Sequence, residues 1–88
     1  MLTQKITIQN KTGLHARPAS LLIDAANKFN CDLQIIHENR EANLKSIISV
    51  MSLAIGYGEE IIIKADGKDE ELALAKIIEI INNKFGEE

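Results

Sequence analysis

The spacing of apolar side chains changes period repeatedly along these 88 residues, so the chain reads as short elements in close succession. Residues Leu2 to Ile8 alternate. Leu2, Gln4, Ile6 and Ile8 lie on one side and Thr3, Lys5 and Thr7 on the other, which predicts a half-buried strand. The turn residues Asn10-Lys11-Thr12-Gly13 break it. From Ala16 to about Lys28 the period lengthens, and Ala19, Leu22, Ala26 and Phe29 fall on one stripe of a helix. Pro18 fits only in a first helical turn, where the backbone N–H groups have no helical acceptor. The helix must therefore begin at His15 or Ala16.

Alternation returns from Cys31 to Glu38, with Leu33, Ile35 and His37 opposite Gln34, Ile36 and Glu38. Asn39-Arg40 supplies a tight turn into a short partner strand, Glu41 to Leu44. A short helix is expected from Ile47 to about Leu53. Glu60 to Ala65 carries three consecutive isoleucines and reads as a central strand, stopped by Asp66-Gly67. The last helix has Asp69 as its expected N-cap, with Glu70 and Glu71 suiting the positive end of its dipole. Leu74, Ile78, Ile81 and Phe85 form its stripe, and Lys84 and Gly86 close it. Strands joined partly by a hairpin and partly through helices suggest an α+β layer fold, a sheet covered by helices on one face. No linker or repeat divides the chain, so a single domain over residues 1–88 is expected.

Composition excludes several function classes. Apolar residues are 45% of the chain, enough for one core, but aromatics are only 3% and Trp is absent. Platforms for stacking bases or sugars are nearly lacking. A formal charge of −3 is the wrong sign for a protein whose main partner is a nucleic acid. One cysteine and two histidines exclude an internal disulfide and Cys-rich metal sites, and no metal or cofactor is expected. Cys31 is most simply a small buried hydrophobe, and His37 an intermittently exposed strand residue. No apolar run approaches the roughly 20 residues of a membrane span. A cytoplasmic monomer that does not insert in membranes is the expectation.

The segment Gly13-Leu14-His15-Ala16-Arg17-Pro18-Ala19-Ser20 carries the chemistry. A histidine at the mouth of a helix sits in a positive field made by the free N–H groups of Ala16 and Arg17, the helix dipole and the Arg17 guanidinium. Those groups disfavour an imidazolium and leave a ring nitrogen nucleophilic. They equally favour a dianionic phosphoryl group on that nitrogen. One short segment thus offers a nucleophile and an anion cradle, the makings of a phosphohistidine site. From position alone, a histidine near a helix start is in most proteins a capping or surface residue, and Arg17 and Pro18 by themselves do not overturn that reading. No Ser/His/Asp or paired-carboxylate arrangement supports hydrolysis.

Gly13-Leu14-His15-Ala16-Arg17-Pro18-Ala19 resembles the active-site signature of HPr, the histidine-containing phosphocarrier family of the bacterial phosphoenolpyruvate:sugar phosphotransferase system. Asn43-Leu44-Lys45-Ser46-Ile47-Ile48-Ser49-Val50-Met51-Ser52-Leu53 resembles that family's second signature, around a regulatory serine. The resemblance spans the chain and implies an open-faced sandwich of order β-α-β-β-α-β-α, with a four-stranded antiparallel sheet under three helices. It implies that His15 accepts a phosphoryl group on Nδ1 from phospho-enzyme I and passes it to the IIA domain of a sugar permease. Arg17 would steady the phosphoryl group together with the backbone of Ala16 and Arg17, and Thr12 would lie in the approach loop. The protein would then be no enzyme but a transient phosphohistidine intermediate.

Ser46 precedes a helix, the position of an ordinary N-cap. The resemblance gives it a second role, phosphorylation by the HPr kinase/phosphorylase, which creates a co-repressor for a catabolite-control repressor. Ile47, Ile48 and Met51 are expected to face outward as an apolar patch, which the resemblance makes the docking site for enzyme I and the permease domains. The chain departs from the family at Ile48-Ser49, where Met-Gly is usual, and at Ala54, where glycine is usual. Ala54 would be strained if that position needs a positive φ. The alternative is an HPr-like regulatory paralogue in carbon catabolite control or a nitrogen-related phosphorelay. The presence of His15 weighs against those paralogues that lack the histidine.

Overall fold

The computed structural model describes residues 1–87. Its elements are β1 (Leu2–Thr7), α1 (Ala16–Ala26), β2 (Asp32–His37), β3 (Arg40–Asn43), α2 (Ile47–Met51), β4 (Glu60–Asp66) and α3 (Glu70–Asn82), followed by one 3₁₀ turn at Lys84–Gly86. The strands form one antiparallel sheet in the order β1-β4-β2-β3, covered on one face by the three helices.

The isoleucine run makes β4 central. It pairs on one side with β1, Ile6 opposite Ile61, and on the other with β2, Ile35 opposite Ile63. Ile61 and Ile63 are buried with Ile6, Ile8, Leu33 and Ile35 beneath the helices, while Ile62 is only half-buried on the open face. The alternation predicted for β1 holds at Ile6 and Ile8. Gln4 is exposed despite sharing their side.

Helix α1 starts where Pro18 requires and buries Pro18, Ala19, Leu22, Ala25 and Ala26. It stops at Ala26 rather than near Lys28. The Asn27 side chain then folds back onto the Ile23 carbonyl at 2.9 Å, which ends the helix.

Further expectations need correction. The β2–β3 turn is Glu38-Asn39, one residue earlier than expected, with φ of 49° and 67°. A two-residue hairpin needs left-handed backbone at both central positions to match the twist of its strands, and His37 pairs with Arg40 across it. Asp69 stands at the N-cap of α3, but its side chain caps nothing there. Its carboxylate instead accepts the N–H groups of Asn30 and Cys31 at 2.8 and 2.9 Å, because the chain entering β2 brings two unpaired donors to it. Burial and this carboxylate push the Cys31 thiol up to about 11, so Cys31 stays a protonated, inert core group.

The stripe of α3 runs through Ala73, Leu74, Ile77 and Ile81, with Ile78 only partly buried. Phe85 is buried but not helical. The helix ends at Asn82, and Lys84, Phe85 and Gly86 all take left-handed backbone, at φ of 55°, 57° and 77°. Left-handed Lys84 and Phe85 together cost about 2–4 kcal/mol. Burying the Phe85 ring recovers roughly 1.5–3 kcal/mol of that. Backbone bonds from Gly86 to Asn83 (3.0 Å) and from Glu87 to Lys84 (2.8 Å) help hold the reversal. Its effect is to turn the chain end back toward the start of α1. No helix among the described residues is long and apolar enough to cross a membrane.

Candidate functional site

The approach to α1 is organised by Asn10, a fully buried side chain. Its amide donates to the Gly13 carbonyl at 2.7 Å, and the Gly13 N–H returns to the Asn10 carbonyl at 3.0 Å. Gly13 has φ 69°, and a Cβ there would lie 2.8 Å from the Gly56 Cα. Only glycine fits that close approach. Leu14 follows, buried, with its N–H bonded to the Ile55 carbonyl at 2.9 Å. The turn is thus pinned on both sides before it releases His15.

His15 occupies the N-cap of α1 with extended backbone, φ −82° and ψ −171°, and its carbonyl accepts the Ala19 N–H at 2.9 Å. Its side chain makes no capping bond. The N–H groups of Ala16 and Arg17 therefore find no acceptor among the described residues, and Pro18 has no N–H to offer. The imidazole is 45% exposed. Arg17 is exposed in the same turn, its guanidinium in no ion pair among the described residues.

Sequence reasoning missed Glu87, which the left-handed reversal delivers to this site. Its Oε2 lies 3.4 Å from His15 Nε2. The Thr12 hydroxyl donates to its Oε1 at 2.8 Å, and the Asn10 amide does so at 3.2 Å. Those two bonds, the one from Thr12 first, hold the Glu87 carboxyl below its ordinary range. Thr12 and Asn10, read from sequence as turn residues, are the supports of this carboxylate. A carboxylate facing Nε2 favours the tautomer protonated there, leaving Nδ1 with its lone pair free. No local signal could have placed Glu87, because the contact depends on the whole fold.

Ser46 is the N-cap of α2, with its Oγ accepting the Ser49 N–H at 3.3 Å. That helix is shorter than expected, ending at Met51, though Val50 and Leu53 are both buried. Ile48 is 81% exposed, and Ile47 and Met51 are each 38% exposed. Ala54 has φ 52°, so the chain carries a side chain where the backbone favours glycine. Helix α2 packs on α1, and the loop after α2 holds Leu14, so the apolar patch and His15 belong to neighbouring structure.

The chain is similar to known proteins of one family. Residues 2–83 match the family described as PTS HPr component phosphorylation site. The phosphocarrier protein HPr of Treponema pallidum is 38% identical over 88 residues, covering both chains completely. The crystal structure of HPr from Thermoanaerobacter tengcongensis superposes with a TM-score of 0.97 at 43% identity, over 100% of this chain and 99% of that one. Crh, the catabolite repression protein of Bacillus subtilis, is also similar. Its swapped dimer gives a TM-score of 0.77 at 39% identity over 96% of this chain and 97% of that one. With its order of elements, its sheet and both of its signature segments in place, the chain belongs to the HPr family of the phosphotransferase system.

Proposed function

We propose that this protein is a working phosphocarrier that takes a phosphoryl group from phospho-enzyme I on His15 Nδ1 and passes it to the IIA domains of sugar permeases. The observation that carries this reading is the uncapped start of α1. His15 projects from a helix N-terminus whose Ala16 and Arg17 amides, like the nearby Arg17 guanidinium, have no partner among the described residues. That is the environment a phosphoryl dianion needs.

The chemistry follows from the geometry. The Nδ1 lone pair attacks phosphorus as the bond from phosphorus to the donor breaks, its electron pair staying with the donor. The proton on Nε2 stays in place, so the ring becomes cationic, and the Glu87 carboxylate facing Nε2 balances that charge. The N–H groups of Ala16 and Arg17 and the Arg17 guanidinium take the phosphoryl oxygens. All of these supports are exposed, so the group is steadied without being trapped and can move on. Delivery runs the same steps in reverse onto the acceptor.

Ile47, Ile48 and Met51 form the docking patch for enzyme I and the permease domains. Ser46 is the target of the HPr kinase/phosphorylase. A phosphate there keeps oxygen acceptors at the start of α2, so the fold survives. Its charge falls at the edge of the apolar patch and hinders docking by desolvation. The phosphorylated form serves as partner to a catabolite-control repressor. The protein acts in the cytoplasm as a monomer and has no direct role on nucleic acid. The likeness to Crh favours one second reading, a regulatory relative serving the repressor alone.

Incubation with phosphoenolpyruvate and enzyme I, followed by intact mass at neutral pH, separates the two. One acid-labile phosphoryl adduct, absent from His15→Ala, is expected of the carrier. No adduct on the folded wild type would leave the regulatory reading.

A further inference from the structure

A second histidine lies inside the fold. His37 is only 6% exposed, not the intermittently exposed strand residue its sequence suggests. Its Nε2 is 2.6 Å from Glu59 Oε1, while its Nδ1 has no partner among the described residues. This asymmetry assigns the proton to Nε2, where it is donated to the carboxylate. A bare lone pair is left at Nδ1, which is less costly to bury than an orphan N–H.

Glu38 brings a third donor to within 4.8 Å of these two. A cation on Nε2 would drive the proton to Nδ1, creating that orphan. The group is therefore a hydrogen-bonded brace rather than a metal centre.

The brace reaches His15 through consecutive contacts. Glu59 Oε2 accepts the Gly56 N–H at 2.6 Å. The loop so gripped presents the Ile55 carbonyl to Leu14 at 2.9 Å and sets Gly56 against Gly13. Leu14 is the residue before His15. On the same hairpin as His37, Arg40 donates to the Ser52 carbonyl at 2.8 Å, holding the chain just ahead of this loop.

We infer that Glu59, oriented by His37, is a positioning residue for His15: it fixes the loop at residues 54–58, and that loop sets the turn from which the imidazole projects. The kinetic consequence rests on the carrier reading, whereas the structural consequence can be measured without it.

The experiment compares Glu59→Ala, Glu59→Gln and His37→Phe with the wild type. Amide exchange at Leu14 and the His15 ring resonances are read by NMR, and phosphoryl acceptance from enzyme I by kinetics. In Glu59→Ala, Leu14 exchange should quicken about five- to tenfold, the effect of losing one hydrogen bond. The His15 resonances should move, and kcat should fall by a similar factor with KM for this chain unchanged. Glu59→Gln keeps an oxygen for the Gly56 N–H and should recover part of the loss. His37→Phe keeps the buried volume without the N–H and should show a smaller effect of the same kind. If Glu59→Ala does not fold, the other two variants carry the test.

Unchanged Leu14 exchange and His15 resonances in the folded variants would overturn the inference, as would a rise in KM alone. If the wild type accepts no phosphoryl group, the carrier reading fails, and the NMR measurements still decide the brace.

Discussion

The N-termini of α1 and α2 are built in opposite ways. At α2 the Ser46 hydroxyl fills the cap, accepting the Ser49 N–H. At α1 the His15 side chain leaves the cap empty and turns toward Glu87 instead. An unfilled N-cap forgoes about 0.5–2 kcal/mol, a large fraction of the margin of a small domain. The difference teaches where this chain gives up stability for an exposed anion site and where it does not. Ser46 supports structure as it stands and changes only when modified. His15 contributes little to its helix, and its surroundings are arranged for an incoming group.

The strongest way to break this contrast is at His15 itself. His15→Ser should abolish phosphoryl acceptance while supplying the missing cap, raising stability by about 1 kcal/mol. Chemical denaturation and the mass assay check both halves together. A variant that loses acceptance and also loses stability would mean that the imidazole props up its helix.

Ser46→Ala should do the reverse, costing about 1 kcal/mol with acceptance from enzyme I nearly unchanged. Ser46→Asp keeps a good capping oxygen and should retain its circular dichroism spectrum while slowing acceptance through the added charge at the patch. An unchanged rate in Ser46→Asp would reduce Ser46 to a cap.

Ala54→Gly tests the strain at the far end of α2. Relief of the positive φ is offset by the greater freedom of glycine in the unfolded chain, so a gain of about 0.5–1 kcal/mol is expected in thermal unfolding.

The smallest effect belongs to pH. Glu87, Glu59, Asp69 and Glu70 all have carboxyls held below their ordinary range, each by hydrogen bonds from neighbouring N–H or O–H groups. A depressed folded value contributes stability that is fully present above the unfolded value. That contribution is lost as pH falls through the folded value. Stability should therefore be level above about pH 5 and decline on acidification. Replacing Glu87 by Gln should flatten a small part of that decline, as read by denaturant midpoints across pH.

What the sequence conveyed about these regions depended on how local the cause was. Pro18 and the spacing of Ala19, Leu22 and Ala26 placed the start of α1 because both act within two turns. The three isoleucines marked β4 as central, yet nothing in them showed which strands would flank it. Ile78 and Phe85 fitted a helical spacing, but the left-handed reversal at residues 84–86 took Phe85 off the helix. Asp69 had the right chemistry for a cap and was claimed by amides that only tertiary structure brings near. His37 and Glu87 were misread or missed for the same reason. Their partners, Glu59 and His15, lie far away in sequence and approach only when the sheet closes and the chain end turns back.

The most direct measurement is heteronuclear NMR of the ¹⁵N-labelled protein after phosphorylation by enzyme I at neutral pH, observing phosphorus coupled to the ring nitrogens. Phosphorus bonded to His15 Nδ1, with the proton on Nε2, is the expected result. Phosphorus on Nε2, or on any residue other than His15, would contradict the open helix N-terminus and its facing carboxylate as the acceptor site.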